Sequence, residues 1–188
     1  SATVFAAGFG EDGDREGAAR RRDLEALIEE TGLAVSGPNV LGNLVGKSRL
    51  VTLTDPRPQT VSRGPLALVG QSGGVLIHIN FIFLERGITP GYVLSSGNEV
   101  GLSTPDYIAY FAGEPDVKVI VSYIEAIADV ERFKAACMLA RDAGKPVIVI
   151  KLGQSEAGRQ AALAHTGTLA GSTEVFDAVA GEVGVIRA

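Results

Sequence analysis

Two histidines occur in this chain, and one of them stands in unusual company. His165 lies in the run AHTGTLAGS, where small and glycine-flanked positions let a bulky group come close to the ring. An imidazole there can carry a group or abstract a proton. One used as a nucleophile needs an acceptor on its second nitrogen, which sets the tautomer and stabilises charge on the ring. Glu125, directly after the apolar run VIVSYI, is a carboxylate that can meet His165 at one edge of a sheet. The plainer readings are a surface-loop histidine and a carboxylate that caps the next loop. The other histidine, His78, sits in the apolar run LIHINF and reads as a core histidine with one satisfied hydrogen bond.

A third feature is Ser72-Gly73-Gly74, which opens a helical pattern straight after the apolar run LALVG. Backbone N–H groups at a helix start lack intrahelical acceptors, and the helix adds about half a positive charge, so such a turn suits a phosphate or carboxylate. It is equally readable as a tight turn with a serine cap. The same residues, G-Q-S-G-G, also match the G-x-S-x-G nucleophile elbow of α/β-hydrolases. Ser72, then Glu125 or Asp129, then His165 follow the hydrolase order. No HGGG-type oxyanion motif precedes them, and the glycine-rich run beside His165 has no part in a triad.

Positioning these groups requires a scaffold, and the patterning supplies one. From LALVG onward, apolar strands (PGYVLSSG, VKVIVSYIE, KPVIVIKLG, VIRA) alternate with helical segments. These are SGGVLIHINFIFLERG, TPDYIAYFAG with Thr104 as cap and Pro105 at its first position, DVERFKAACMLARDAG and STEVFDAVAGEVG. That alternation predicts an α/β fold, a doubly wound parallel sheet covered on both faces. Ligands of such sheets gather at the strand carboxyl ends, where Ser72, Ser96-Gly97-Asn98-Glu99, Glu125 and the loop to His165 all fall. The preceding block, residues 1–54, holds a strand ATVFAA, a helix over EGAARRRDLEALIEETG with Ala18, Leu24, Leu27 and Ile28 on one face, and a strand LAVSGPN. LVGKSRLVTLT is expected to continue extended. Residues 55–65, with three prolines, read as a linker to the unit at 66–188. The first block is too short to bury its own strands and needs a neighbour.

Composition narrows the function classes. A net charge of −5 gives no footing for nucleic acid or an anionic membrane. No apolar run reaches the ~18 residues of a membrane span. The single cysteine, Cys137, cannot form an intramolecular disulfide, fits a reducing, cytoplasmic setting and reads as a small core residue. The chain begins without methionine on what already looks like a core strand, the expectation for a fragment, a subunit or a processed product.

Taken in order, AAGFGE, SGPNVLG, LVGQSGG, SSGNEVGLSTPDYI, VSYIEAI and KLGQSEAGRQAALAHTGTLAGS resemble the NDP-forming acyl-CoA synthetases, which include ADP-forming acetyl-CoA synthetase and the α-subunit of succinyl-CoA synthetase. The resemblance spans nearly the whole chain. It implies a flavodoxin-like ligase domain preceded by the C-terminal part of a Rossmann-like CoA-binding domain. It implies that His165 is phosphorylated, passing phosphoryl between an acyl phosphate and a nucleoside diphosphate, and that Glu125 holds its ring. Ser72, Gly73, Gly74, Gly97, Asn98 and Gly167 would form the phosphate crevice, with no metal ligands. Gly8, Phe9, Gly10, Glu11, Pro38 and Asn39 would contact coenzyme A. ATP or ADP with magnesium would be held by an ATP-grasp domain or β-type subunit outside this chain, in an oligomeric, soluble enzyme acting on a small carboxylic acid.

Three departures stand out. Val40 occupies a position where many relatives have cysteine, and Gln154 one where a basic residue is common, with Lys151 as a candidate substitute. The resemblance implies that this sequence has no counterpart to the first half of the CoA-binding domain, so these residues alone are expected to bind CoA poorly and to leave the reaction incomplete. A non-catalytic CoA-sensing module is the remaining alternative, against which stands the retention of both His165 and Glu125.

Overall fold

A computed structural model describes residues 1–11, 13–55, 57, 60–151 and 173–188. His165, Gly167 and Gln154 therefore lie outside the described residues. The elements are β1 (Ala2–Thr3), α1 (Arg15–Thr31), β2 (Val35–Ser36), β3 (Asn43–Val45), β4 (Leu50–Val51), β5 (Leu66–Gly70) and α2 (Gly73–Glu85). There follow β6 (Pro90–Ser95), α3 (Thr104–Gly113), β7 (Val119–Ile124), α4 (Val130–Asp142), β8 (Val147–Lys151), α5 (Thr173–Val183) and β9 (Ile186–Arg187).

The main sheet runs β4-β3-β6-β5-β7-β8-β9. Its last five strands are parallel and stand in the flavodoxin order, with chain direction across the sheet reversing between β5 and β7. Apolar strands such as LALVG and VIVSYI are buried because helices cover both faces. On one face α3, α4 and α5 bury Ile108, Phe111, Phe133, Phe176 and Val183 against the sheet. On the other, Leu76 of α2 packs with Leu44, Leu68, Val93 and Val121. Cys137 is in the first of these cores, and burial pushes its thiol pKa up to about 12.

Local chemistry explains the helix ends. Asp14 caps α1 by accepting from the Gly17 N–H at 2.6 Å, and Gly32 ends it in the left-handed region, its N–H on Ile28 O. The cap of α3 is Ser103, one residue ahead of the expected Thr104, because Asp106 at the third helical position accepts from the Ser103 N–H at 2.8 Å and hydroxyl at 2.7 Å. Asp129 caps α4 through the Arg132 N–H at 2.9 Å.

Four expectations change. LVGKSRLVTLT does not run on extended: it folds into the antiparallel hairpin β3–β4, with Arg49 in the left-handed region at its turn. The hairpin joins the main sheet beside β6, protecting what would otherwise be an open edge. Thus part of the block assigned to 1–54 belongs to the larger sheet, and β1, β2 and α1 form the remainder. His78 is not a core residue. It is exposed on α2, although its Nδ1 does lie 2.8 Å from Gly74 O. Leu27 of α1 is likewise exposed rather than inward.

The described part of the stretch read as a linker is held against the sheet. Lys118 N donates to Pro65 O at 2.7 Å, and Ser62 Oγ to Pro90 O at 3.1 Å. A Cβ on Gly46 would stand 1.6 Å from Ser62 O, so only glycine permits that approach. The smaller unit docks through β2: Leu102 N donates to Val35 O at 2.7 Å, and Tyr107 OH to Ser36 Oγ at 2.9 Å. That docking carries the loop at 8–11 and the Gly37-Pro38-Asn39 turn to the carboxyl ends of the parallel strands.

Candidate functional site

The carboxyl ends of β5 and β7, where the strand order reverses, open onto a cavity of about 720 Å³. Four groups of residues line it. The start of α2 contributes Ser72, Gly73 and Gly74. The β6–α3 loop contributes Gly97, Asn98, Glu99 and Ser103. Glu125 begins the β7–α4 loop. From the smaller unit come Phe9, Gly10, Glu11 and Asn39. Candidates scattered from residue 9 to residue 125 therefore share one space.

Two expected residues stand behind the wall instead. Gly8 is engaged by its own loop: its N–H donates to Glu11 at 3.0 Å and its carbonyl accepts from Arg20 Nε at 2.6 Å. Pro38, after a cis peptide, is buried, and its carbonyl accepts from Asn98 N at 2.9 Å. Gly97 owes its identity to that contact. Its φ is +58°, and a Cβ would stand 2.1 Å from Pro38 O.

Among the helices that begin at this end, α2, α3 and α4 differ in how their N-termini are filled. Asp106 answers the N–H of the α3 cap Ser103, and Asp129 answers the Arg132 N–H in the first turn of α4. Glu99 adds to the former: its carboxylate accepts from Thr104 N at 2.9 Å and Thr104 Oγ1 at 2.5 Å. Ser72, the N-cap of α2, makes no capping hydrogen bond with its side chain. Of these three, the start of α2 is the one whose positive end faces the cavity without a side-chain anion capping it. Ser72 itself has ordinary extended backbone, φ −93° and ψ 113°, not the strained turn of a nucleophile elbow.

The carboxylates are held in different ways. Burial works to raise the Glu11 pKa, but hydrogen bonds from its own N–H, the Asn98 amide, Phe9 N and Gly8 N outweigh it and keep the carboxyl below the usual range. Those backbone N–H groups are consequently taken up by Glu11. Burial pushes Glu99 up against the pull of its hydrogen bonds to Thr104, Ser96 and Gln71. Glu125 is buried at 8% exposure. Among the described lining residues Arg21 carries the only positive side chain, and it pairs with Glu25 at 2.8 Å. The described residues contain no cluster of three or more His, Cys, Asp or Glu fit to hold a metal.

Two side chains next to Glu125 serve it in a way the sequence did not suggest, Lys151 having been expected only as a substitute contact to phosphate. Gln71 lies one residue beyond the ladder between β5 and β7. Its Oε1 accepts from Glu125 N at 2.7 Å and Ala126 N at 3.0 Å, while Nε2 donates to Ala126 O at 2.8 Å. Lys151, at the end of β8 and 4% exposed, donates from Nζ to Glu125 O at 2.5 Å. Burial depresses its pKa. The available signal was positional: both follow apolar strands at their carboxyl ends, where polar residues need partners. Glu99 carried a comparable signal, being a carboxylate beside Gly97-Asn98.

Comparison with known proteins agrees with this architecture. A profile of the family described as succinyl-CoA ligase like flavodoxin domain matches residues 63–188. The α subunit of acetate–CoA ligase [ADP-forming] I from Pyrococcus furiosus is 35% identical, over 98% of this chain and 39% of that protein. The 4-hydroxybutyrate–CoA ligase [ADP-forming] of Nitrosopumilus maritimus is 34% identical, over 98% of this chain and 26% of that one. The acetyl-coenzyme A synthetase 1 of Ca. Korarchaeum cryptofilum, solved with phosphate and ADP, superposes with a TM-score of 0.88 at 30% identity, over 99% of this chain and 39% of that one. The chain therefore spans well under half the length of these relatives. With the strand order, the crevice at the strand ends and the profile match in agreement, the chain belongs to the succinyl-CoA ligase-like flavodoxin domain family.

Proposed function

We propose that this chain is part of an NDP-forming acyl-CoA synthetase and that it carries the phosphoryl relay of that reaction on His165. In the direction of nucleotide synthesis, phosphate displaces CoA from an acyl-CoA, giving an acyl phosphate and free thiol. A nitrogen of His165 then attacks phosphorus. An N–P bond forms, the P–O bond to the acyl group breaks, and the carboxylate leaves with its electron pair. A nucleoside diphosphate finally takes the phosphoryl group and restores the imidazole.

The observation that carries this reading is the shared cavity, in which the uncapped start of α2, Gly97 and Asn98, and Glu125 lie together. Phosphoryl transfer asks mainly for position and charge stabilisation. Ser72, Gly73 and Gly74 would meet the anionic phosphoryl group with backbone N–H groups, each favourable dipole contact contributing about 0.3–2 kcal/mol. Glu125 would hold the ring of His165. The wall formed by Phe9, Gly10 and Asn39 would meet coenzyme A. With Glu11 occupying the Gly8 and Phe9 amides, and the one cation among the described lining residues already paired, that wall suits the uncharged pantetheine arm better than the phosphates. The nucleotide and magnesium would be held by an ATP-grasp domain or subunit. That the relative from Pyrococcus furiosus is an α subunit supports the existence of a partner subunit.

A serine hydrolase reading is disfavoured by the relaxed backbone of Ser72 and by Asp129 serving as a helix cap. The test is phosphate labelling of the full-length protein with radiolabelled ATP and magnesium. Acid-labile, base-stable label lost in His165→Asn and only weakened in Ser72→Ala is expected. Label on serine, or reaction of Ser72 with a fluorophosphonate, would refute the proposal.

A further inference from the structure

The main-chain polar groups of Glu125 and Ala126 are all answered, and the answers come from side chains at the carboxyl ends of the two strands flanking β7. Gln71 takes both N–H groups and the Ala126 carbonyl, at 2.7, 3.0 and 2.8 Å. Lys151 takes the Glu125 carbonyl at 2.5 Å. The parallel ladder pairs Gly70 with Tyr123 and Ile124 with Lys151, and regular pairing then stops. Beyond it, the Gln71 amide offers the acceptor and donor that a continuing strand would have offered. On the other side, a buried ammonium supplies a charge-assisted bond. The same Gln71 directly precedes Ser72, so one residue ties the carboxylate's backbone to the start of α2 across the point where strand order reverses.

We infer that Gln71 and Lys151 are positioning residues that set where Glu125 stands relative to the α2 N-terminus. Neither is assigned to touch a reacting atom; each acts through Glu125. This rests on the proposed role of Glu125 as the partner of the His165 ring. A carboxylate fixed at both sides of its own peptide can orient an imidazole without having to be ordered at each turnover, and misplacement by about 1 Å can lower a rate a hundredfold.

The experiment uses the full-length protein and measures the rate of phosphoenzyme formation from radiolabelled ATP and magnesium. Gln71→Met and Lys151→Met are each expected to slow it about tenfold to a hundredfold, with the KM for ATP unchanged. In a Glu125→Ala background the same changes should cost no more than about twofold further, because residues that act through one group do not add. Amide exchange gives a readout independent of activity: the Glu125 and Ala126 N–H groups should exchange faster in Gln71→Met, while those in the middle of β7 keep their protection. If the losses multiply in the Glu125→Ala background, or if Gln71→Met and Lys151→Met leave the rate intact while Glu125→Ala lowers it, the positioning role is overturned. If Glu125→Ala itself leaves phosphoenzyme formation unchanged, the failure belongs to the proposed function. Lys151→Met, on a different strand, keeps the test decisive should Gln71→Met not fold.

Discussion

Replacing Gly97 by alanine should strain the site more than any change of similar size beside it. At φ +58° an L-residue sits in the left-handed region, at a cost of about 1–2 kcal/mol. The new Cβ would also stand 2.1 Å from Pro38 O, 2.8 Å from Val40 Cγ1 and 2.9 Å from Asn39 O. Two of those atoms are backbone, so the β6–α3 loop and the Gly37-Pro38-Asn39 turn must separate, and overpacking of this kind costs about 1–3 kcal/mol. The two effects together predict a loss of about 2–5 kcal/mol, a large share of the stability of a typical domain. Gly74→Ala is the matched control. It adds the same methyl group to the same cavity, at a helical position with nothing within 4 Å, and should be neutral or stabilise by up to about 1 kcal/mol. Urea unfolding of the parent and both variants, compared by midpoint at constant slope, reads the difference. A Gly97→Ala loss below about 1 kcal/mol, or an equal loss in Gly74→Ala, would show that the close approach of loop and turn has been misjudged.

Two further outcomes are expected. Burial raises the pKa of Glu99 above its ordinary 4.5, so the folded chain binds more protons than the unfolded one, and stability contributed through this group falls as pH rises from about 4.5 through the folded value. Glu99→Gln keeps an acceptor for Thr104 N and Oγ1, should flatten that segment of the melting-temperature profile and should be the more stable form at neutral pH. A profile that keeps the parent's slope counts against it. Lys145, 8% exposed, donates at the end of α3 to Phe111 O at 2.8 Å and to Glu114 O, just past the helix, at 2.6 Å. Lys145→Met should lower stability by about 1–3 kcal/mol in thermal melts, and a loss no greater than that of the exposed Lys118→Met would refute this.

Periodicity, turn chemistry and composition were enough to recognise the strand–helix alternation from Leu66 onward, the end of α1 at Gly32, and the grouping of Ser72, Gly97, Asn98 and Glu125 at strand carboxyl ends. Each of these depends on a short window of residues or on a rule that holds for any parallel sheet. The Ser103–Asp106 pairing was equally local, and the pattern of serine followed three residues later by an acid was there to be read. The β3–β4 hairpin was not, because its turn uses Arg49 in the left-handed region rather than the Asn-Gly or Asp-Gly that would mark it.

What only the tertiary structure decided joins residues distant in sequence. Asn98 reaches Glu11 across 87 positions, Gln71 reaches Ala126 across 55, and β3 of the first block finds its partner in β6 of the second. His78 shows the same divide: its apolar neighbours pointed inward, but the side of α2 it occupies faces solvent. Local propensity states what a segment can become. Which buried donor meets which acceptor, and so which loops surround the cavity, is settled only when chain closure and burial leave each polar group one partner within reach.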